Sequence, residues 1–323
     1  MSPSPSVLRQ AALSVAAQRR IAPYLAETPC IPSRRHFTDG TGLVFKAENL
    51  QRTGSFKFRG ALSKLTALGP DTPIITASSG NHGLALSTAA QITGHALSVV
   101  LPHTVAREKR DKIEALGVRT ILHSDDSGLA EQHARALAET DGKIYVSPYN
   151  DETVIAGQGT IGLELLQQVP KLDVVFISMG GGGLISGIGS VLKAFSPETR
   201  VVGVSTANSA ALDASIGAGR VVEVRHQETL ADGCAGGIDE GTLTLPLATE
   251  VIDERVTCSE DQIADGVRAL AWEEKMLVEG SAGLALAPWR LDPARYAGLA
   301  SAVVLCGANF DRDTILPVIA AGT

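Results

Sequence analysis

Aromatic side chains are scarce in this chain: two Trp, four Tyr and seven Phe among 323 residues. So thin a supply offers no stacking platform for nucleic-acid bases. There is no basic surplus to meet a phosphate backbone either, since 28 Lys and Arg face 35 Asp and Glu for a formal net charge of −7. The densest basic patch, Arg107-Glu108-Lys109-Arg110-Asp111-Lys112, is interleaved with acids and reads as a solvated helix face. Together these exclude a nucleic-acid-binding footprint. No apolar run reaches the ~18 residues that span a bilayer. The start, Met1-Ser2-Pro3-Ser4-Pro5-Ser6, has neither the basic flank nor the apolar core of a secretion signal. Cysteine is sparse as well: Cys30, Cys234, Cys258 and Cys306 are scattered and form no Cys-x-x-Cys pair. That removes a structural zinc site and fits reduced thiols in a cytoplasmic protein. No Pro/Ser-rich linker and no fixed-period repeat divides the chain, so two domains, where present, are interwoven rather than tethered.

What is present is a soluble, globular composition, 44% hydrophobic and 20% charged, long enough for one large or two modest domains around a substantial core. Residues 7–22 have helical apolar spacing. Thr28-Pro29-Cys30-Ile31-Pro32 reads as a loop, because two prolines oppose regular structure. Short β-branched runs then recur at 43–47, 74–76, 96–101, 118–122, 143–146, 174–178, 201–205 and 302–306. Amphipathic stretches separate many of them, at 81–92, 106–116, 129–139, 155–169 and 184–195. Strand followed by helix, repeated, predicts an α/β fold with mostly parallel sheets and helices on both faces. Gly94, Gly117 and Gly142 stand where helix C-caps are expected. The chain stops 17 residues after the last of these runs, so no appended regulatory domain is expected.

In a parallel sheet the ligand crevice lies at the carboxyl ends of the strands, so the strand-to-helix junctions carry the chemistry. The first is Glu48-Asn49-Leu50-Gln51-Arg52-Thr53-Gly54-Ser55-Phe56-Lys57-Phe58-Arg59-Gly60-Ala61. Lys57 stands between two Phe; apolar neighbours lower an ammonium's pKa, and a neutral amine attacks carbonyls to form Schiff bases. A helix-start Lys with its stem along Phe rings explains the same triplet. The second junction, Gly180-Gly181-Gly182-Gly183-Leu184, follows an apolar strand and opens a helix. Its N–H groups and helix dipole suit a phosphate. It matches neither the Gly-x-Gly-x-x-Gly spacing of dinucleotide sites nor the Gly-Lys-Ser/Thr of the Walker loop. The third, Ser78-Ser79-Gly80-Asn81-His82-Gly83, offers hydroxyls, an amide and N–H groups to a carboxylate or phenolate oxygen. Ser/Asn capping accounts for part of it, and His82 by itself reads as a satisfied junction histidine. Cys306 ends a late strand as a buried thiol, and Glu279 stands before a small-residue helix start. A Schiff-base Lys, a phosphate cup, an anion loop and a neutral partner on a late strand describe a site for pyridoxal 5′-phosphate.

With these residues in view, the chain resembles the tryptophan-synthase-β-like, fold type II, pyridoxal-phosphate enzymes, and within them the serine/threonine dehydratase and serine racemase branch. The resemblance runs from about Thr28 to Asp311. It implies two interwoven three-layer domains: residues 1–74 and 149–323 as a large cofactor-binding domain, and 75–148 as a small substrate-closing domain inserted in it. It implies that Lys57 holds the cofactor aldehyde and acts as base on the substrate α-carbon, with Phe56 packed on the ring. Asn81 is implied to hold the ring 3′-oxygen, Gly180, Gly181, Gly182, Gly183 and Leu184 the phosphate, and Cys306 to face the pyridine nitrogen, with Glu279 among the cofactor contacts. Ser78, Ser79, Asn81 and His82 are implied to bind the substrate carboxylate. Ser79 matches the racemases' opposite-face base, so a racemase side activity is in view. A homodimer is expected from the same resemblance.

Three departures from that pattern stand out. Ser205 and Ala211 occupy positions where metal-activated members carry Glu and Asp, so no metal site is expected. Gly128 takes the place of an Arg that meets acidic ligands. Cys234-Ala235-Gly236-Gly237 replaces a Ser pair, and with Tyr149 nearby this opens space for a larger or less polar β-substituent, a β-aryl serine being the specific expectation. The reading is a pyridoxal-phosphate-dependent dehydratase (ammonia-lyase) that takes a small-molecule β-hydroxy amino acid to a 2-oxo acid and ammonia, in the cytoplasm, without a nucleic-acid or membrane partner. Its rivals are an amino-acid racemase using Lys57 and Ser79, and a catalytically silent binding protein on the same fold.

Overall fold

The computed structural model describes residues 3–38 and 41–321. Helix α1 (Pro5–Ile21) is capped by the Ser4 hydroxyl and precedes the hairpin β1 (Cys30–Thr38) and β2 (Thr41–Lys46). After α2 (Lys57–Leu65) the chain alternates β3 (Ile74–Ala77), α3 (Asn81–Thr93), β4 (Leu97–Leu101), α4 (Arg107–Glu114), β5 (Arg119–Leu122), α5 (Ser127–Asp141) and β6 (Ile144–Tyr145). It continues through α6 (Glu152–Gln168), β7 (Val174–Ser178), α7 (Gly183–Phe195), β8 (Arg200–Thr206), α8 (Ala211–Ala218), α9 (Thr244–Val251) and β9 (Glu254–Cys258). Last come α10 (Glu260–Trp272), α11 (Gly280–Leu291), β10 (Ala300–Val304) and α12 (Arg312–Ala320). The strands form two sheets, one of six in the order β1-β2-β10-β7-β8-β9 and one of four in the order β5-β4-β3-β6. Every pair is parallel except β1–β2.

The expected α/β class is thus observed, and the physical reason is visible in the central strands. Val174 to Ser178 and Ala300 to Val304 are buried along their whole length, as strands covered by helices on both faces must be. One core surrounds the six-stranded sheet. A second joins α2, through Phe58, Ala61, Leu62 and Leu65, to Ile74, Leu86 and Leu97 of the four-stranded unit.

Some expectations shift. The segment at Pro29–Pro32 is not all loop, since Cys30, Ile31 and Pro32 pair antiparallel with Lys46, Phe45 and Val44. Pro32 is tolerated because β1 is an edge strand, where a missing N–H faces outward. The last strand ends at Val304, which puts Cys306 in the following turn. The helix of the lysine motif starts at Lys57 itself.

Helix α2 is held against α6 at very short range. A Cβ on Gly157 would stand 2.4 Å from Arg59 O, and one on Gly60 would stand 2.3 Å from Gln158 Nε2. Under that contact lies a dry ionic cluster. The fully buried Arg59 guanidinium donates to Glu48 Oε2 (2.8 Å) and Oε1 (2.8 Å), to Glu164 Oε1 (2.6 Å) and Oε2 (2.8 Å), and to Thr160 Oγ1 (3.0 Å). Lys46 Nζ pairs with the same Glu164 and donates to Thr28 O, while Thr28 Oγ1 donates to Glu48. Two cations and two carboxylates therefore cancel two residues beyond Lys57. Burial alone would raise the Glu164 carboxyl, but Arg59 and Lys46 outweigh it and hold the group below its ordinary range.

Candidate active site

The turn before Lys57 is zipped to the turn after β10. Ser55 and Gly307 form an antiparallel bridge, Phe56 N–H donates to Cys306 O (2.9 Å) and Ala308 N–H donates to Gly54 O (2.8 Å). Asn309 Nδ2 donates to Thr53 O at 2.7 Å. Gly54 has φ +72°, a backbone conformation that suits glycine. Lys57 therefore starts its helix beside Cys306. Its Nζ donates to Pro148 O (2.9 Å) and lies 5.0 Å from the Phe56 ring centroid. Burial lowers its pKa to about 8, against a partial counter-effect of Cys234, Cys306 and Glu279. At pH 7 about one amine in ten is then neutral, against fewer than about one in a thousand for an ordinary lysine.

Cys306 is buried with its Sγ 3.7 Å from both Ser178 Oγ and Glu279 Oε1. Burial, with Glu279 adding to it, pushes the thiol well above its ordinary pKa, so it is neutral. Glu279 occupies the N-cap position of α11, yet its side chain makes no capping bond. It turns into the site instead, accepting from Asn81 Nδ2 (3.0 and 3.1 Å) and from Asn309 N–H (3.2 Å). Burial raises its pKa, which those donors only partly offset. Gly307 makes room for this arrangement, since a Cβ there would fall 2.5 Å from Glu279 Oε2 and displace the carboxylate.

Asn81 opens α3, and its Oδ1 accepts from Asn309 Nδ2 at 2.7 Å. Ser78 Oγ accepts from Gly80 N–H (3.3 Å), and Ser79 is half-buried in the same loop. The His82 ring faces inward, with Nε2 3.1 Å from both Thr76 Oγ1 and Val146 O. Burial lowers its pKa to about 3, with Lys57 adding to the effect, so the ring is neutral and its Nε2 engaged. With its ring so engaged, what His82 can offer a carboxylate is its first-turn N–H.

The glycine loop connects β7 to α7. Its N–H groups and those of the first turn of α7 carry the helix's unpaired donors. The missing side chains serve packing on the other side. A Cβ would stand 2.9 Å from Cys234 Cα at Gly180, 2.4 Å from Tyr149 Cγ at Gly181, 2.9 Å from Thr244 Cβ at Gly182 and 3.1 Å from Tyr149 Cα at Gly183. Tyr149 thus lies against the glycine loop. Gly236 and Gly237 stand in the exposed segment that follows Cys234, where a Cβ would meet nothing within 4 Å. A cavity of about 390 Å³ opens beside Glu279, walled by Leu230, Asp232, Ala235, Phe310 and Ile315.

These residues fit pyridoxal 5′-phosphate. An amine partly neutral at pH 7 meets an aldehyde, a glycine-lined helix start meets a phosphate, and a neutral thiol stands nearby. Ser55 Oγ, two residues before Lys57, is buried without a partner among the described residues, as expected where a polar ligand completes the bonding. Sequence reasoning missed Pro148 and Asn309. Asn309 lies three residues after Cys306, and an amide two residues after Gly307 was the available signal. Among the described residues no group of three or more His, Cys, Asp or Glu is placed to hold a metal, and none of the helices is long and apolar enough to cross a membrane.

The family described as "pyridoxal-phosphate dependent enzyme" matches residues 21–307. The chain is 38% identical over 286 residues to an L-threonine ammonia-lyase of Thermotoga maritima, covering 88% of this chain and 71% of that protein. It is 36% identical over 278 residues to the catabolic L-threonine dehydratase of Escherichia coli, covering 84% of each. Among solved structures it superposes on a processed threonine deaminase from Solanum lycopersicum with a TM-score of 0.92 at 30% identity, over 100% of this chain and 95% of that one. On maize serine racemase the TM-score is 0.87 at 29% identity, over 96% of each.

Proposed function

Because this chain belongs to the pyridoxal-phosphate dependent enzymes, we propose that it is an ammonia-lyase of β-hydroxy amino acids of the threonine and serine type, releasing a 2-oxo acid and ammonia. The observation that carries the reading is Lys57, an amine brought down to about pKa 8 beside a thiol kept neutral. The bound cofactor supplies an aldehyde for that amine and an electron sink for the substrate α-carbon. Lys57 Nζ is the group able to take and return a proton near neutral pH. Cys306 offers only a neutral S–H, and such a partner does not hold a ring nitrogen protonated, which favours β-elimination over amino transfer. The first-turn N–H groups of α3, with Ser78 and Ser79, are the donors for the substrate carboxylate, and those of α7 for the phosphate. The segment at Gly236 and Gly237, free of side chains, is where we place a β-substituent larger than methyl, an aryl group included.

A second reading, racemisation with Ser79 as the opposite-face base, is supported by the half-buried place of Ser79 beside Asn81 and by the likeness to maize serine racemase. One experiment separates the two. The cofactor-loaded protein is given L- and D-serine, L- and D-threonine, threo- and erythro-phenylserine and 3-hydroxyaspartate, and 2-oxo acid, ammonia and optical purity are followed. Keto-acid release from one or more of them is expected. Loss of optical purity without keto acid would replace the lyase by a racemase, and no reaction with any of them would remove both.

A further inference from the structure

The tripeptide Pro148-Tyr149-Asn150 touches three parts of the site at once. Pro148 O takes the Lys57 amine. The Tyr149 ring fills the space in front of Gly181, and its backbone stands over Gly183. The Tyr149 hydroxyl accepts the N–H of Asp239 at 2.8 Å. Asn150 reinforces the same contact, with Nδ2 donating to Asp239 Oδ2 (3.1 Å) and Oδ1 accepting from Leu243 N–H (3.0 Å). On the far side of the glycines, Thr244 Oγ1 donates to Gly181 O at 2.8 Å. Arg135 of α5 secures Asp239 from outside, 3.2 Å from both carboxylate oxygens.

Gly181 is therefore gripped from two directions. Glycine has no side chain to limit its own rotation, so the orientation of the two peptides that flank it, which carry the N–H groups of Gly181 and Gly182, is set by what presses on them. Here those agents are an aromatic ring and a threonine hydroxyl, both tied to residues 239–244. Burial, with Asp239 adding to it, raises the Tyr149 phenol far above its ordinary pKa. The phenol therefore stays neutral near neutral pH, with its oxygen accepting that N–H.

Resting on the family's cofactor, we propose that Tyr149 is a positioning residue for the phosphate end of the site: pinned by Asp239, it holds the Gly180–Gly183 loop in the one shape that grips a phosphate. A tyrosine in purely structural packing would affect folding, or any ligand, without regard to the phosphate. The proposal demands selectivity for that group.

The test compares the affinity of the apoprotein for pyridoxal 5′-phosphate and for pyridoxal, which lacks the phosphate, by the change in visible absorbance on binding. In Tyr149→Phe the ring remains and one hydrogen bond is lost, so affinity for pyridoxal 5′-phosphate is expected to fall about fivefold, the factor of one ordinary hydrogen bond, with pyridoxal binding unchanged. Arg135→Met, outside the site and exposed enough not to threaten folding, is expected to give a smaller loss of the same selectivity. Equal weakening of both ligands, or no weakening of either, in a folded Tyr149→Phe protein would overturn the proposal. Failure of the unmodified protein to bind pyridoxal 5′-phosphate would instead remove the cofactor assignment itself, and that control comes first.

Discussion

Two polar clusters flank Lys57, and they are built on opposite terms. On one side, Lys46, Glu48, Arg59 and Glu164 form a closed set. Each charge meets its opposite, and the whole is dry. On the other, Glu279 makes no ion pair among the described residues and leans on amides and a thiol. A set that closes within the protein can only hold structure. A set left short of donors and counter-charge is stable only in part, and its deficits are where a ligand gains. The lysine belongs to the second set by chemistry and is held in place by the first.

The sharpest way to break the comparison is to open the closed set. Arg59→Met leaves two carboxylates to one buried ammonium, and removing one partner of a buried pair typically costs about 3–5 kcal/mol. Urea unfolding of the apoprotein should show a loss of that size. A loss under about 1 kcal/mol would mean that the cluster is not what anchors α2.

A mid-sized effect falls on Lys57 itself. With a pKa of about 8, its neutral fraction rises roughly tenfold from pH 7 to pH 9. The rate at which apoprotein captures pyridoxal 5′-phosphate should rise by about that factor and level off. Stopped-flow absorbance measures it, and a rate still climbing beyond pH 10 would place the amine in an ordinary environment.

The smallest effect separates the two clusters by sign. The Glu164 pKa is depressed in the folded protein, so its contribution is present above the unfolded pKa and is lost as pH falls through the folded one. The Glu279 pKa is raised, so the native state holds its proton more tightly than the unfolded chain, and stability falls as pH rises above the ordinary carboxylate range. Accordingly, Glu279→Gln should match or exceed the parent's stability at pH 7, by up to about 1 kcal/mol, whereas Glu164→Gln should lose stability there. Thermal melts at pH 5 and 7 read both, and a shared sign would erase the distinction.

Much of this was legible in the sequence. Runs buried on both faces, such as Val174–Ser178, need no partner to be recognised as central strands, and the junctions at Lys57, Ser78–Gly83, Gly180–Gly183 and Cys306 follow the carboxyl ends of strands, whereas Glu279 stands between the helices α10 and α11. Other features had no local signal. Pro32 in a strand makes sense only once β1 is seen to be an edge. The repeat of small apolar residues in α11 has no amphipathic period, because the helix is buried along nearly all its length. Glu48, Arg59 and Glu164 are ordinary helix and turn residues in one dimension, and only the fold brings them within 3 Å of one another. Tyr149 was expected near a substrate side chain; its contacts with Gly181 and Asp239 depend on segments about 30 and 90 residues away.

The Ser55–Gly307 bridge has a consequence for how the protein is made. Lys57 emerges from the ribosome early, but β10, which inserts between β2 and β7, and the turn that clasps the lysine motif emerge about 250 residues later. At roughly 5–20 residues per second that interval is on the order of half a minute. During it β2, and β7 once it is made, each present an open edge where β10 will insert. Until that turn has emerged, the lysine motif of the nascent chain lacks the clasp that seats Lys57 beside Cys306.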